Sequence, residues 1–375
     1  MRGESRKTVK KIGLIVNPVA GMGGSVGLKG TDGGMYSKAV EMGARPVTPS
    51  RAAAFLSHIK HRDGLLLLTG PDKMGEDVAR DSGIEYRVVS SLDGDSVTAD
   101  DTRRVGREMS DEVDLIVFVG GDGTARDICD AVGLKTPVLG VPSGVKMFGS
   151  VFAVSAVAAA EIVDAFIEGN TSASEKEVLD IDEDAYRQGR LDSKLYGYLR
   201  VPEVTGLVQS GKEATVSTES SQENQAEIAR YIIEGMKEEV LYLLGAGTTT
   251  AAIAGKLGLE KTLLGVDAVY GSRLVAEDLN EKRMLDLIKL YPGVKIIISP
   301  IGGNAFIFGR GNQEFSPAVL KQVKRDDIVV VATRNKMRGV SCLRVDTNDS
   351  EVDGKLKGFM RVITHYNEEV LIEVA

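Results

Sequence analysis

Asp114-Leu115-Ile116-Val117-Phe118-Val119-Gly120-Gly121-Asp122-Gly123-Thr124 is the stretch on which the fold turns. A continuous apolar run, stopped by tandem glycines, suits a parallel strand buried on both faces. A helix is expected over Asp127–Val132, then another apolar strand, Val138-Leu139-Gly140-Val141. The same alternation runs upstream. Strand patterns at Ile12–Val16, Leu65–Thr69 and Tyr86–Val89 are separated by helical patterns at Ala52–His61, Asp77–Ser82 and Asp100–Ser110. A short helical pattern also covers Ser37–Met42. This order predicts an α/β class, with an open parallel α/β sandwich over residues 1–150.

Ala153–Glu168 has a helical pattern that Gly169 would close at its C-terminal end, so residues 151–171 are expected to bridge two domains. From Ser172 the pattern changes. Lys176–Ile181, Leu195–Val201, Leu241–Leu244, Leu263–Val266, Val294–Ile298 and Ile328–Val331 are strand-like. Gln225–Glu238, Glu281–Leu290 and Ala318–Val323 are helix-like, and Thr215–Glu223 is polar enough for a loop. A β-rich or mixed second domain is therefore expected over residues 172–342. The segment 343–375 holds two strand-like runs, Leu343–Asp346 and Val370–Val374, and is left unplaced.

The chain has 375 residues, enough for about two domains. Charged residues make up 27% and hydrophobic ones 43%, which excludes disordered and fibrous classes. The 54 acidic against 46 basic residues give a net charge of −8, which argues against a nucleic-acid partner and a polybasic membrane binder. Two distant cysteines, Cys129 and Cys342, exclude a disulfide scaffold and a zinc ribbon. Three histidines (His58, His61 and His365) are too few for a His-rich metal site and are expected on the surface or in loops. The basic stretch Met1–Lys11 leads into a strand pattern rather than a signal-peptide core, and no apolar run approaches a membrane span. The expected location is the cytoplasm.

Gly120-Gly121-Asp122-Gly123-Thr124 carries the chemistry. Tandem glycines let backbone N–H groups face an anion, and the following helix points its positive end the same way. Asp122, at the carboxyl edge of the sheet, is placed to orient a hydroxyl, accept its proton or help hold Mg²⁺. The alternative is an ordinary Asp-Gly turn. A second glycine loop, Gly245-Ala246-Gly247-Thr248-Thr249-Thr250, also joins a strand to a helix and suits a phosphate or ribose; its plain alternative is a Thr-capped turn. Gly302-Gly303-Asn304 and Gly309-Arg310-Gly311-Asn312 form a third glycine patch, where Arg310 would clamp a phosphate unless the patch is a surface loop. Asp127 is either a helix N-terminal acid or a support for a metal or Arg126; Cys129 is expected as a small core residue, and Asp180–Asp184 as a solvated turn. Gly206–Lys212 has P-loop spacing, but Glu213 stands where Ser or Thr is needed. Neither glycine loop has the GxGxxG spacing of a hydride-transferring dinucleotide fold.

GGDGT resembles the diagnostic motif of the NAD kinase and diacylglycerol kinase superfamily. Gly13–Pro18 with its glycine-rich tail, Val138–Lys146, Leu241–Ala252 and Ile297–Gly303 are similar to further elements of the NAD kinase side, in particular a long archaeal and bacterial ATP-NAD kinase-like branch, some of whose members accompany acetoin catabolism. The resemblance implies an active cleft between two domains. It also implies transfer of a phosphoryl group from ATP or polyphosphate, with Mg²⁺, to the 2′-hydroxyl of NAD. Asp122 would be the catalytic carboxylate and a possible Mg²⁺ ligand. Gly120, Gly121, Gly123, Thr124, Asn17, Ser143 and Lys146 would bind phosphate or nucleotide, and Gly247, Thr248, Thr249, Thr250 and Arg310 the second-domain side of the substrate. A homo-oligomer is expected by analogy. The Asn-Glu pair that in such kinases holds the nicotinamide-side ribose is not identified in the second domain. That leaves open another small hydroxyl acceptor (a polyol or sugar, a lipid least of all) or a catalytically silent nucleotide-binding regulator.

Overall fold

The computed structural model describes residues 9–22, 40–41, 44–92, 94, 97–143, 147, 149–181, 193–204, 206–208, 219–301, 304–309 and 312–375. They fall into two compact units, the first built on residues 9–22 and 45–212, the second on residues 213–375.

The first unit runs β1 (Lys10–Val16), α1 (Thr48–His58), β2 (Leu65–Thr69), α2 (Glu76–Ser82), β3 (Tyr86–Val88), α3 (Ala99–Ser110), β4 (Leu115–Gly120), α4 (Asp122–Val132), β5 (Val138–Pro142) and α5 (Ala156–Glu168). Its five strands pair in parallel in the order β3-β2-β1-β4-β5. Every residue of β4 and β5 is buried, which is why these strands are apolar without alternation. Gly169 closes α5 in the left-handed region, with φ 78°, as expected. The hairpin β6 (Ser172–Ile181) and β7 (Ser193–Glu203) is counted with this unit.

The second unit runs α6 (Glu219–Glu234), β8 (Leu241–Leu244), α7 (Thr248–Lys256), β9 (Asp267–Tyr270), β10 (Arg273–Ala276), α8 (Glu281–Leu290), β11 (Val294–Ile298), β12 (Phe306–Phe308), α9 (Pro317–Leu320), β13 (Ile328–Val331), α10 (Arg334–Met337), β14 (Arg344–Val345), α11 (Ser350–Leu356), β15 (Gly358–His365) and β16 (Glu368–Val374). Its seven-stranded sheet has the order β10-β9-β8-β11-β13-β15-β16. The central four are parallel, and antiparallel neighbours flank them. Leu241 and Leu243 pack into one core, Tyr242 and Leu244 into another, so each face of the sheet has its own hydrophobic layer.

The structure corrects several expectations. Leu263–Val266 is not a strand. The buried Asp267 carboxylate accepts from Thr262 N (2.7 Å), Thr262 Oγ1 (2.6 Å) and Asp278 N (2.8 Å), which winds the preceding residues into a turn and starts the strand at Asp267. Glu219–Glu223 are helical rather than looped, and that helix ends at Glu234, before Gly235. The unplaced C-terminal segment completes the second sheet through the β15–β16 hairpin. The helix expected over Asp127–Val132 starts earlier, at Asp122, so Asp122-Gly123-Thr124 form its first turn, with Gly121 as cap and Gly120 ending β4.

Candidate active site

In the first sheet the strand order reverses between β1 and β4, and ligands of open α/β sheets bind outside the carboxyl ends of the strands at such a point. Three segments converge there. Asn17 follows β1, Gly121–Thr124 follow β4, and Ser143 follows β5. Hydrogen bonds tie them together. Asn17 N donates to Val119 O at 3.0 Å, Asn17 Nδ2 to Thr124 Oγ1 at 3.0 Å, and Ser143 N to Gly120 O at 3.1 Å. Asn17 Oδ1 also accepts from Val19 N (3.2 Å), an Asx turn that starts the loop after β1.

Gly121 caps α4 without a side-chain hydrogen bond, and the first helical bond, Ala125 N to Gly121 O, measures 3.0 Å. Helix geometry gives the first-turn amides, those of Gly123 and Thr124 among them, no carbonyl of their own helix to donate to, which suits them to an anion. Asp122 is the first helical residue, where a carboxylate is favoured by the helix dipole even in a purely structural role. It is partly exposed, and its Oδ1 accepts from Gly149 N at 2.9 Å. Thr124 is buried and its hydroxyl is engaged by Asn17, so it ties the helix to β1. Ser143 is buried, and its Oγ has no hydrogen-bond partner among the described residues. Such a group beside a helix N-terminus fits a donor to a ligand.

Lys146 and Arg310 lie outside the described residues, as do Gly302, Gly303, Asp182–Asp184 and Gln209–Lys212. The second glycine loop is in the second unit. Gly247, at φ 122°, caps α7, and its N–H donates to Leu263 O at 2.9 Å. Of the three threonines only Thr248 is exposed, where it accepts from Gln225 Nε2 at 3.1 Å. Thr249 is buried. Thr250 Oγ1 is within hydrogen-bond reach of Gly245 O (2.6 Å) and Gly247 O (2.9 Å), so it closes the loop on itself.

Two Asn-Glu dipeptides do occur in the second unit, which corrects the sequence reading. Asn280 of Asn280-Glu281 caps α8 by accepting from Arg283 N at 3.0 Å. Asn367-Glu368 forms part of the β15–β16 turn, with Asn367 at φ 50° and Glu368 paired to Arg334 and bonded by Thr364 Oγ1 at 2.8 Å. Arg334 and Thr364 together hold the Glu368 carboxyl down at about 2. Asn280 and Glu368 thus have structural tasks.

Asp127 sits on α4 and pairs with Arg103 of α3. Burial pushes its carboxyl up to about 6, against the pull of Arg103 and Arg126, with Asp130 adding to the rise. The folded value lies above the ordinary unfolded one, so the folded chain binds the proton more tightly. The resulting stability is fully present below pH ~4 and is lost as pH rises through about 6. The expected outcome is that Asp127→Asn flattens the fall in thermal midpoint between pH 4 and 6.5. Parallel curves for both proteins would contradict it. Cys129, half-buried, donates to Tyr198 O at 3.7 Å, and burial pushes its thiol up.

Sequence reasoning missed Gly149 and Ser150. The Gly149-Ser150 step, nine residues after Gly140 of β5, was visible, but nothing local showed that its amide would meet Asp122.

Among the described residues no helix is long and apolar enough to cross a membrane. A search of curated proteins finds no match. Among solved structures the chain is similar to a diacylglycerol kinase of Bacillus anthracis str. Sterne, at 17% identity over 46% of this chain and 47% of that one, with a TM-score of 0.21. A second solved chain from that organism gives 17% identity, 46% of each chain and a TM-score of 0.22. These matches span about half the length of the relatives concerned. Residues 12–171 match the ATP-NAD kinase N-terminal domain and residues 237–374 the ATP-NAD kinase C-terminal domain. With both matches, which together take in most of its length, the chain belongs to the ATP-NAD kinase family.

Proposed function

We propose that this chain is a kinase that moves the γ-phosphoryl group of ATP, or a phosphoryl group of polyphosphate, to the 2′-hydroxyl of the adenosine ribose of NAD. The observation that carries this reading is Asp122 on the first turn of α4, at the reversal of strand order, beside Asn17 and Ser143. Asp122 orients the acceptor hydroxyl and takes its proton. The acceptor oxygen attacks the γ-phosphorus, the bond to the bridging oxygen breaks, and ADP leaves. The amides at the start of α4 hold phosphate oxygens, and Ser143 donates its hydroxyl to the same group.

Among the described residues no group of three or more His, Cys, Asp or Glu side chains gathers into a metal site. Mg²⁺ does not need one. It is commonly held by one or two carboxylates, substrate phosphates and water, a donor set that Asp122 and the nucleotide meet. When bound, Mg²⁺ neutralises the charge that develops on the phosphates.

A second reading keeps the donor and changes the acceptor to another small hydroxyl compound such as a polyol or sugar. The structural engagement of Asn280 and Glu368, one residue of each Asn-Glu pair, favours it. Labelled ATP offered with NAD, NADH, polyols and sugars, beside calorimetry with NAD and ATP, separates the cases. Label on NAD is the expected result. Label on another acceptor selects the second reading, and binding without any transfer would select a silent regulator.

A further inference from the structure

The β6–β7 hairpin packs against α4, the helix that begins with Asp122. At the far end of that helix Tyr196 Oη donates to the Asp130 carboxylate, with its two oxygens 2.8 and 2.9 Å away. At the near end the contact runs through Ser150. Ser150 N donates to Glu177 O at 3.1 Å, Glu177 N donates to Ser150 Oγ at 3.1 Å, and Ser150 Oγ reaches Glu177 O at 3.4 Å. Ser150 is 7% exposed, so water does not replace these bonds readily. The chain beyond it is fastened to β5, with Gly140 N donating to Val151 O and Ala153 N to Gly140 O, both at 2.9 Å. The Phe152 ring meets Phe118 edge-on at 5.4 Å. The residue before Ser150 is Gly149, whose N–H donates to Asp122 Oδ1. A Cβ on Gly149 would stand 3.0 Å from Asp122 Oδ1 and 3.5 Å from Glu177 O.

We propose that Ser150 is a positioning residue for Asp122: its bonds to the Glu177 backbone fix the Gly149 amide, and that amide fixes a carboxylate oxygen. This rests on the assignment of Asp122 as the group that takes the acceptor proton. The hairpin thereby serves as a brace that sets the carboxylate relative to the reacting hydroxyl. A misplacement of about 1 Å at such a group costs on the order of 10²-fold in rate.

The test uses the full chain labelled with ¹⁵N-glycine, and three variants. Ser150→Ala is expected to speed hydrogen exchange at the Gly149 amide by about tenfold or more, because the hydroxyl bonds to Glu177 are lost and only the Ser150 N to Glu177 O bond remains. It is also expected to lower kcat by roughly 10- to 100-fold while KM for ATP and acceptor stays within about twofold. Tyr196→Phe, which removes the far contact with Asp130, is expected to leave kcat unchanged. Gly149→Ala, which crowds Asp122 directly, is expected to lower kcat with KM held, and it carries the test if Ser150→Ala does not fold. Unchanged Gly149 exchange in Ser150→Ala overturns the proposal. So does a loss shared by kcat and KM, or an equal kcat loss in Tyr196→Phe. A wild-type chain that transfers phosphate to no acceptor refutes the kinase reading instead, and the exchange measurement then still decides whether Ser150 holds the Gly149 amide.

Discussion

Asp122→Asn is expected to lower kcat by about 10²- to 10⁴-fold, the usual contribution of a positioned proton acceptor. The amide oxygen of asparagine keeps an acceptor for the Gly149 N–H, which in the native chain lies 2.9 Å from Oδ1. The substitution therefore removes charge and basicity and leaves the anchoring bond. At the first position of α4 the lost charge–dipole interaction costs only about 0.3–1 kcal/mol. Circular dichroism and thermal melting should thus be nearly unchanged while turnover collapses. A variant that turns over normally would remove Asp122 from the chemistry. One that unfolds would make its role structural.

Gly120→Ala is expected to have the largest effect on stability around the site. A Cβ on Gly120 would lie 2.5 Å from Thr124 Cβ, closer than real Cβ contacts allow. Thr124 cannot retreat, because it is 3% exposed and its Oγ1 accepts from Asn17. Overpacking of this kind costs about 1–3 kcal/mol, or several degrees of melting midpoint for a unit of this size. It should also break the link between the loops after β1 and β4. Gly121→Ala makes the comparison sharp. Gly121 has φ −118°, and a Cβ there meets nothing within 4 Å, so alanine should cost less than about 1 kcal/mol. Differential scanning calorimetry of the two variants reads the contrast. Equal midpoints would mean that the Thr124 contact does not constrain the turn.

How much of this was legible in the sequence depended on the kind of signal. β4 and β5 were plain because burial on both faces demands unbroken apolar runs. β8, β11 and β13 were placed to the residue from largely apolar, mostly buried runs, with Lys295 the one polar residue among them. The start of α4 was misjudged because glycines in a first turn read as loop, although a helix N-terminus tolerates them. Leu263–Val266 looked like a strand by composition. Its fate was decided by Asp267, a buried carboxylate that gathers two amides and a hydroxyl from turns on either side of it, and no local pattern announces such a bond set. The site itself divided in the same way. Asp122 and its glycines were visible as a contiguous motif. The bonds from Asn17 to Thr124, 107 residues apart, and from Gly149 to Asp122, 27 apart, depend on strand order and could not be read from spacing. The threonines of the second glycine loop looked equivalent in sequence, and only folding separates exposed Thr248 from Thr250, which is turned onto its own loop.

The claim that this chain phosphorylates NAD is tested most directly by a coupled assay. The purified chain is incubated with ATP, Mg²⁺ and NAD, and the product is offered to a dehydrogenase that reduces NADP but not NAD. Reduced NADP should appear at a rate proportional to the chain, and should vanish with Asp122→Asn. Consumption of ATP without any NADP, or no reaction under conditions where the wild-type fold is intact, would contradict it.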